Sequence, residues 1–274
     1  MPEMSIILTM AAMLLAIGAF AGFLAGLLGV GGGIVLVPAF FYAFKTMGYD
    51  SPQLMQLCLG TSLATIIVTS VRSVLSHNKK GAVDWQVLRS WAPGIVLGAL
   101  VGVFTVAQLR TSVLQAIFGI LAMSVATYMV FGRSTWRLGP TMPKGILRAT
   151  LSPMMGFLSV LMGIGGGSFG VPIMSLYSMS IHRAVATAAG FGMIIAVPSV
   201  IGFLAVSMPE GGSPPFSIGA VNFAAFFLVI AMTLLTAPLG AAAAHKTDAA
   251  KLKRIFGIFL FLVASNMLRK AAGF

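Results

Sequence analysis

Four glycines fall within five residues at Gly29-Val30-Gly31-Gly32-Gly33, and the spacing returns at Gly163-Ile164-Gly165-Gly166-Gly167. Glycine in a helix interior costs about 1 kcal/mol relative to alanine, so each run predicts a break in an otherwise apolar helix. The helix that resumes beyond a break starts with amide N–H groups that lack an intrahelical acceptor. That end also carries partial positive charge. Two such ends brought together would hold a small anion between them with no charged side chain. Pro38 and Pro172 are expected early in the resumed helices, where a missing N–H matters least.

The alternative use of glycine is close packing. Gly18, Gly22 and Gly26, and likewise Gly94, Gly98 and Gly102, recur at GxxxG spacing and read that way. The stretch Gly165-Gly166-Gly167-Ser168-Phe169-Gly170 formally fits G-x-G-x-x-G. No soluble βαβ unit surrounds it, so a dinucleotide site is excluded.

Polar residues inside apolar stretches are the other candidates. Gln56, Thr61, Ser62, Thr65, Thr69 and Ser70 mark one helix; Thr187 and Ser199 mark its counterpart. Thr61, Ser62 and Thr187 are candidate donors to an oxyanion, although a helical hydroxyl can equally bond back to its own carbonyls. Asn222 and Asn266 read as interhelical glue. Arg72 reads either as a snorkelling cation or as a charge that attracts anions at a mouth. His77, His182 and His245 have no neighbours that suggest a metal, and Cys58 reads as a buried thiol. Glu3, Asp50, Asp84, Glu210 and Asp248 all fall at or near loops, so no carboxylate relay crosses the apolar stretches. No catalytic cluster is visible, and neither an enzyme activity, a metal nor a cofactor is expected.

The elements that carry these residues are set by composition. Of 274 residues, 58% are hydrophobic and 8% charged, against roughly a quarter charged in a globular chain. The partner is therefore a lipid bilayer. One Cys excludes a disulfide framework. The net charge of +12 could suggest nucleic acid, but the cations sit in short groups between apolar runs, so no nucleic-acid partner is expected. The N-terminus lacks the basic region of a removable leader.

With about 20 residues needed per crossing, the expected fold is all-α, with helices at about 4–28, 34–45, 52–76, 86–108, 112–131, 145–163, 168–179, 182–206, 218–244 and 250–270. Alternating sides from the 77–89 loop places thirteen Lys and Arg on one side and four on the other. By the positive-inside rule the cytoplasmic loops are then 77–89, 132–148, 180–183 and 245–254. Trp85, Trp91 and Trp136 fall near that boundary.

The chain is a tandem duplication. GFLAGLLGVGGGIVLVP at 22–38 and GFLSVLMGIGGGSFGVP at 156–172 share ten of seventeen positions at an offset of 134. Later matches, Gly81-Ala82-Val83 with Gly219-Ala220-Val221 among them, follow at an offset of 138. Residues 1–131 and 145–274 are the two copies, joined by a linker at 132–144. Five segments per copy turn the second copy over in the bilayer, giving an inverted repeat, a recurrent transporter design.

These doubled motifs and the halved organisation resemble the TauE/SafE family of membrane permeases, over essentially the whole chain. The resemblance implies a bacterial inner-membrane carrier of small sulfur-containing anions, such as sulfite, sulfoacetate or other organosulfonates, working in export. A passive anion channel and an uptake permease are the alternatives. Carried over residue by residue, the motif places the site at Gly31, Gly32, Gly33, Gly165, Gly166 and Gly167, within breaks bounded by Gly29 and Pro38 and by Gly163 and Pro172. Ser168 begins the second short helix, whereas Ile34 stands there in the first copy. The periodic glycine faces also allow a homodimer.

Overall fold

A computed structural model describes residues 4–28, 32–132, 136–208, 212–244 and 249–273. Among them the first copy forms α1 (Met4–Leu28), α2 (Gly33–Thr46), α3 (Leu54–Asn78), α4 (Trp85–Gln108) and α5 (Thr111–Phe131). The second forms α6 (Gly145–Leu161), α7 (Gly167–Leu176), α8 (Ile181–Leu204), α9 (Phe223–Ala244) and α10 (Ala249–Ala271). Six of these, α1, α3, α4, α5, α8 and α9, are long and apolar enough to cross a membrane; α2, α6 and α7 are shorter apolar helices. The protein is a multi-pass membrane protein.

The helices follow the expected segments except at the start of α9. Residues 218–222, expected to be helical, instead belong to a small antiparallel ladder of β1 (Ser217–Ile218) and β2 (Val221–Asn222), with Ser217 opposite Asn222. Gly219 turns the chain with φ +53°, a conformation that favours glycine. The Asn222 carboxamide oxygen then accepts the Ala225 amide at 2.7 Å and starts α9 one step later. Asn222 is thus a helix cap rather than glue between helices. Asp84, its counterpart in the first copy, caps α4 by accepting from Val87 N at 3.0 Å.

Packing follows the duplication. α1 packs on α9 and α6 on α4; α2 lies on α3 and α7 on α8; α3 pairs with α8 and α5 with α10. Exchanging the copies interchanges the first two contacts and the next two, and returns α3 with α8 and α5 with α10 to themselves. α3 sits innermost, with 78% of its apolar stretch buried, against 28% for α1 and α9.

Both GxxxG stripes are spent inside the molecule. A Cβ on Gly18 would lie 2.8 Å from Val229 Cα, and one on Gly26 would meet the Ala237 carbonyl. On α4, a Cβ at Gly98 would strike the Pro153 carbonyl, and one at Gly102 would lie 2.9 Å from Val160 Cβ. The packing role expected for these glycines is therefore observed, and neither stripe is free to seat a second copy.

Because the obstacle at Gly98 is backbone, no rotamer relieves it. Gly98→Val should exceed the about 1–3 kcal/mol of ordinary overpacking and abolish the monodisperse peak in detergent gel filtration. Leu97→Ala, at a side chain 62% exposed, should leave that peak intact.

Candidate functional site

The second break is built by a helix stop. Gly163 takes φ +60°, its N–H donates to Val160 O at 2.9 Å, and the Ile164 N–H donates to Ser159 O at 2.9 Å. This paired return satisfies the last carbonyls of α6 and explains why glycine stands there. Three residues later α7 begins. Gly166, just before it, supplies no side-chain cap, and the first bond across the turn runs from Gly170 N to Gly166 O at 2.7 Å. The amides of Gly167, Ser168 and Phe169 therefore start the helix without intrahelical acceptors. The Ser168 hydroxyl is buried and has no partner among the described residues.

The two breaks meet. A Cβ on Gly33 would lie 2.8 Å from Gly163 O and 3.0 Å from Ile164 Cα. The Ser62 hydroxyl, on α3, donates to the same Gly163 carbonyl at 2.7 Å. Gly32, at φ +70°, precedes α2, and its carbonyl accepts from both Val35 and Leu36. Gly29 and Gly31 lie outside the described residues. Pro38 and Pro172, expected near the helix starts, are each the sixth helical residue. Each thus removes a bond to the carbonyl four residues earlier, at Ile34 and Ser168.

A cavity of about 320 Å³ runs to this point, with Gly165, Gly166 and Gly167 in its wall. One face of α3 lines it through Ile66, Thr69, Ser70, Arg72, Ser73 and His77; Gly192 of α8 and Pro238 of α9 contribute to it as well. No Asp or Glu is in the lining. Arg72 is exposed in the cavity, and the two ion pairs found among the described residues do not involve it. Such a space, apolar in body with a few donors and one cation, suits a small anion.

The cavity is one-sided. Carried through the repeat, at an offset of 134 on α1 and of 126 on α3, where the link from break to helix is shorter in the second copy, its wall residues Ala25, Gly26, Thr69, Ser73 and His77 become Ser159, Val160, Ile195, Ser199 and Phe203. All five are 0% exposed. The wall that is open beside the 77–89 loop is thus packed at the equivalent positions of the second copy.

Thr61 and Thr187 lie elsewhere. Thr61 Oγ1 accepts the Asn222 amide at 2.9 Å, and Thr187 Oγ1 accepts the Asp84 amide at 3.0 Å. Each hydroxyl thus pins the helix cap of the opposite copy, and neither residue is in the cavity lining. Ser62 is likewise committed to Gly163, while Ser168 stands beside the break with its hydroxyl unused. Ser73, Ser76, Gly192 and the α9 residues were missed from sequence; a signal was present in the polar i, i+3 stripe of Ser70, Ser73 and Ser76.

The profile of the sulfite exporter TauE/SafE family matches residues 14–267. A probable membrane transporter protein of Haemophilus influenzae is 33% identical over 93% of this chain and 97% of its own. Probable membrane transporter proteins of Methanocaldococcus jannaschii and Bacillus subtilis are 25% and 24% identical, each over 93% of this chain and 94% and 96% of theirs. No solved structure matches the chain.

Removing either threonine hydroxyl orphans a buried amide, at about 1–3 kcal/mol. Thr61→Val and Thr187→Val should each lower the melting temperature in detergent, while the affinity of the remaining folded protein for anions stays unchanged.

Proposed function

Since the chain belongs to the sulfite exporter TauE/SafE family, we propose that this membrane transporter is a secondary carrier of small sulfur-containing anions. The substrates are sulfite, sulfoacetate or other organosulfonates, and the direction is export across the bacterial inner membrane. The observation that carries this reading is the one-sided cavity ending on unpaired helix-start amides. An oxyanion accepts from several N–H groups at once, and the start of α7, where Gly167 lines the cavity and Ser168 follows it, would supply such donors. Arg72 raises the local anion concentration at the open side. At about 320 Å³ the cavity has room for one small anion and a few waters, each of which needs about 30 Å³.

Orientation by the positive-inside rule makes the open side cytoplasmic, which fits loading for export. An inverted relation between the copies then supplies the second state. The wall that is shut, through Ser159, Ser199 and Phe203, opens when the open wall closes, so the anion at the breaks is passed across. This closed wall favours a carrier over a passive channel. With no carboxylate in the spans, coupling is left to a histidine, of which His77 lines the cavity, to the substrate's own protonation, or to none at all.

Gly166 is a poor place to test this, because a Cβ there would meet Phe191 Cβ and the Ala188 carbonyl. Gly165 is better: its Cβ would sit 3.2 Å from Ile66 Cγ2 and 3.4 Å from Gly192 Cα, a fit within a few tenths of an ångström. In proteoliposomes loaded with sulfite, sulfoacetate, sulfate, taurine or oxalate, flux of a sulfur oxyanion should saturate with concentration. Gly165→Ala and Arg72→Gln should each raise its KM about tenfold, which is about 1.4 kcal/mol. Flux that never saturates, or an unchanged KM in both variants, would contradict the reading.

A further inference from the structure

A second cavity, of about 600 Å³, lies on the same face of the protein but outside the site above. It is lined by the starts of α4, α6 and α8 and by the end of the linker between the copies. Its charged residues are Asp84, Lys144, Arg148 and Arg183. Asp84 is fully engaged: it pairs with Arg183 at 2.9 Å and caps α4 through the Val87 amide at 3.0 Å. Lys144 and Arg148 are then left facing one concave space with no acidic partner among the described residues. Lys144 precedes α6, whose start receives no side-chain cap. Its first-turn amides add donors to the two cations.

The positive-inside rule explains cations on this face, but not their collection in a cavity. The other copy shows that the repeat itself does not need them. Through the repeat offsets, Arg148 becomes Leu14, Arg183 becomes Leu57 and Asp84 becomes Asn222. Leu14 and Leu57 are both 0% exposed. Where one copy packs apolar side chains, the other holds an open basic pocket.

We propose that this pocket binds a phosphate group, with Lys144 and Arg148 as its charge partners and Arg183, held by Asp84, forming the far wall. A phosphate carries several acceptor oxygens and matches planar guanidinium and ammonium donors. The side chains of Ile146 and Ile181, 85% and 54% exposed, begin the two helices that flank the pocket. An acyl chain attached to the phosphate would run along these residues, so an anionic phospholipid is the favoured source. This inference is independent of the transported substrate.

The full chain would be placed in nanodiscs of phosphatidylcholine, with and without phosphatidylglycerol, and separately titrated with inorganic phosphate in the neutral lipid. A rise in melting temperature with phosphatidylglycerol, lost in Lys144→Gln/Arg148→Gln, supports a lipid phosphate. The same rise and loss with inorganic phosphate alone supports a soluble one. The apparent affinity of the double variant should fall at least fivefold. Lys79→Gln/Lys80→Gln, on the same face but outside the cavity, should keep wild-type affinity. Equal loss in both double variants, or no shift with either probe, would overturn the proposal.

Discussion

A main chain in lipid must find partners for its N–H and C=O groups within the protein. Here three departures from helix are answered by a side chain from the opposite copy. The Gly163 carbonyl receives Ser62, the Asn222 amide reaches Thr61, and the Asp84 amide reaches Thr187. Against this pattern the start of α7 stands out. Among the described residues its buried Ser168 hydroxyl has no partner, next to the glycines that line the cavity. The proposed binding position at the second break rests on this feature together with the cavity rather than on glycine alone.

The same cross-copy bonds let the molecule be asymmetric without coming apart. The threonine bonds hold equivalent helix caps in both copies, and α3 and α8 cross at the centre. Around that fixed frame the two walls differ: Ala25, Gly26 and Ser73 border open space, while Ser159, Val160 and Ser199 are packed. Sequence divergence reinforces the difference. The open wall has Arg72 where the closed one has Pro198, and His77 where the closed one has Phe203. The two walls therefore present chemically unlike surfaces.

Much of the fold could be read from the sequence. Apolar runs of span length, broken at glycine runs, located all ten helices, and the repeated motif located the partners related by the duplication. Helix periodicity and composition suffice for that. The glycine stripes were legible as packing faces, though not that both would be spent within one chain. Thr61 and Thr187 were identified as a matched pair, but a hydroxyl in an apolar helix looks the same whether it serves a ligand or a distant amide. Their partners are 161 and 103 residues away, beyond any local pattern. The ladder before α9 was hidden for a related reason: Ile218 and Val221 fit a helix by hydropathy, and only Gly219 and the cap at Asn222 argue otherwise. The cavity needed α9 folded against α3, which no spacing reveals.

The most direct measurement uses the inaccessibility of the native thiol, since Cys58 is fully buried. A cysteine introduced by Ser73→Cys would be the one thiol facing the cavity, and its labelling by a membrane-impermeant reagent can be followed as sulfoacetate is added. The account predicts saturable protection at Ser73→Cys and none at a control Lys79→Cys outside the cavity. Labelling at both positions that is indifferent to every small sulfur oxyanion would contradict an anion held at the glycine breaks.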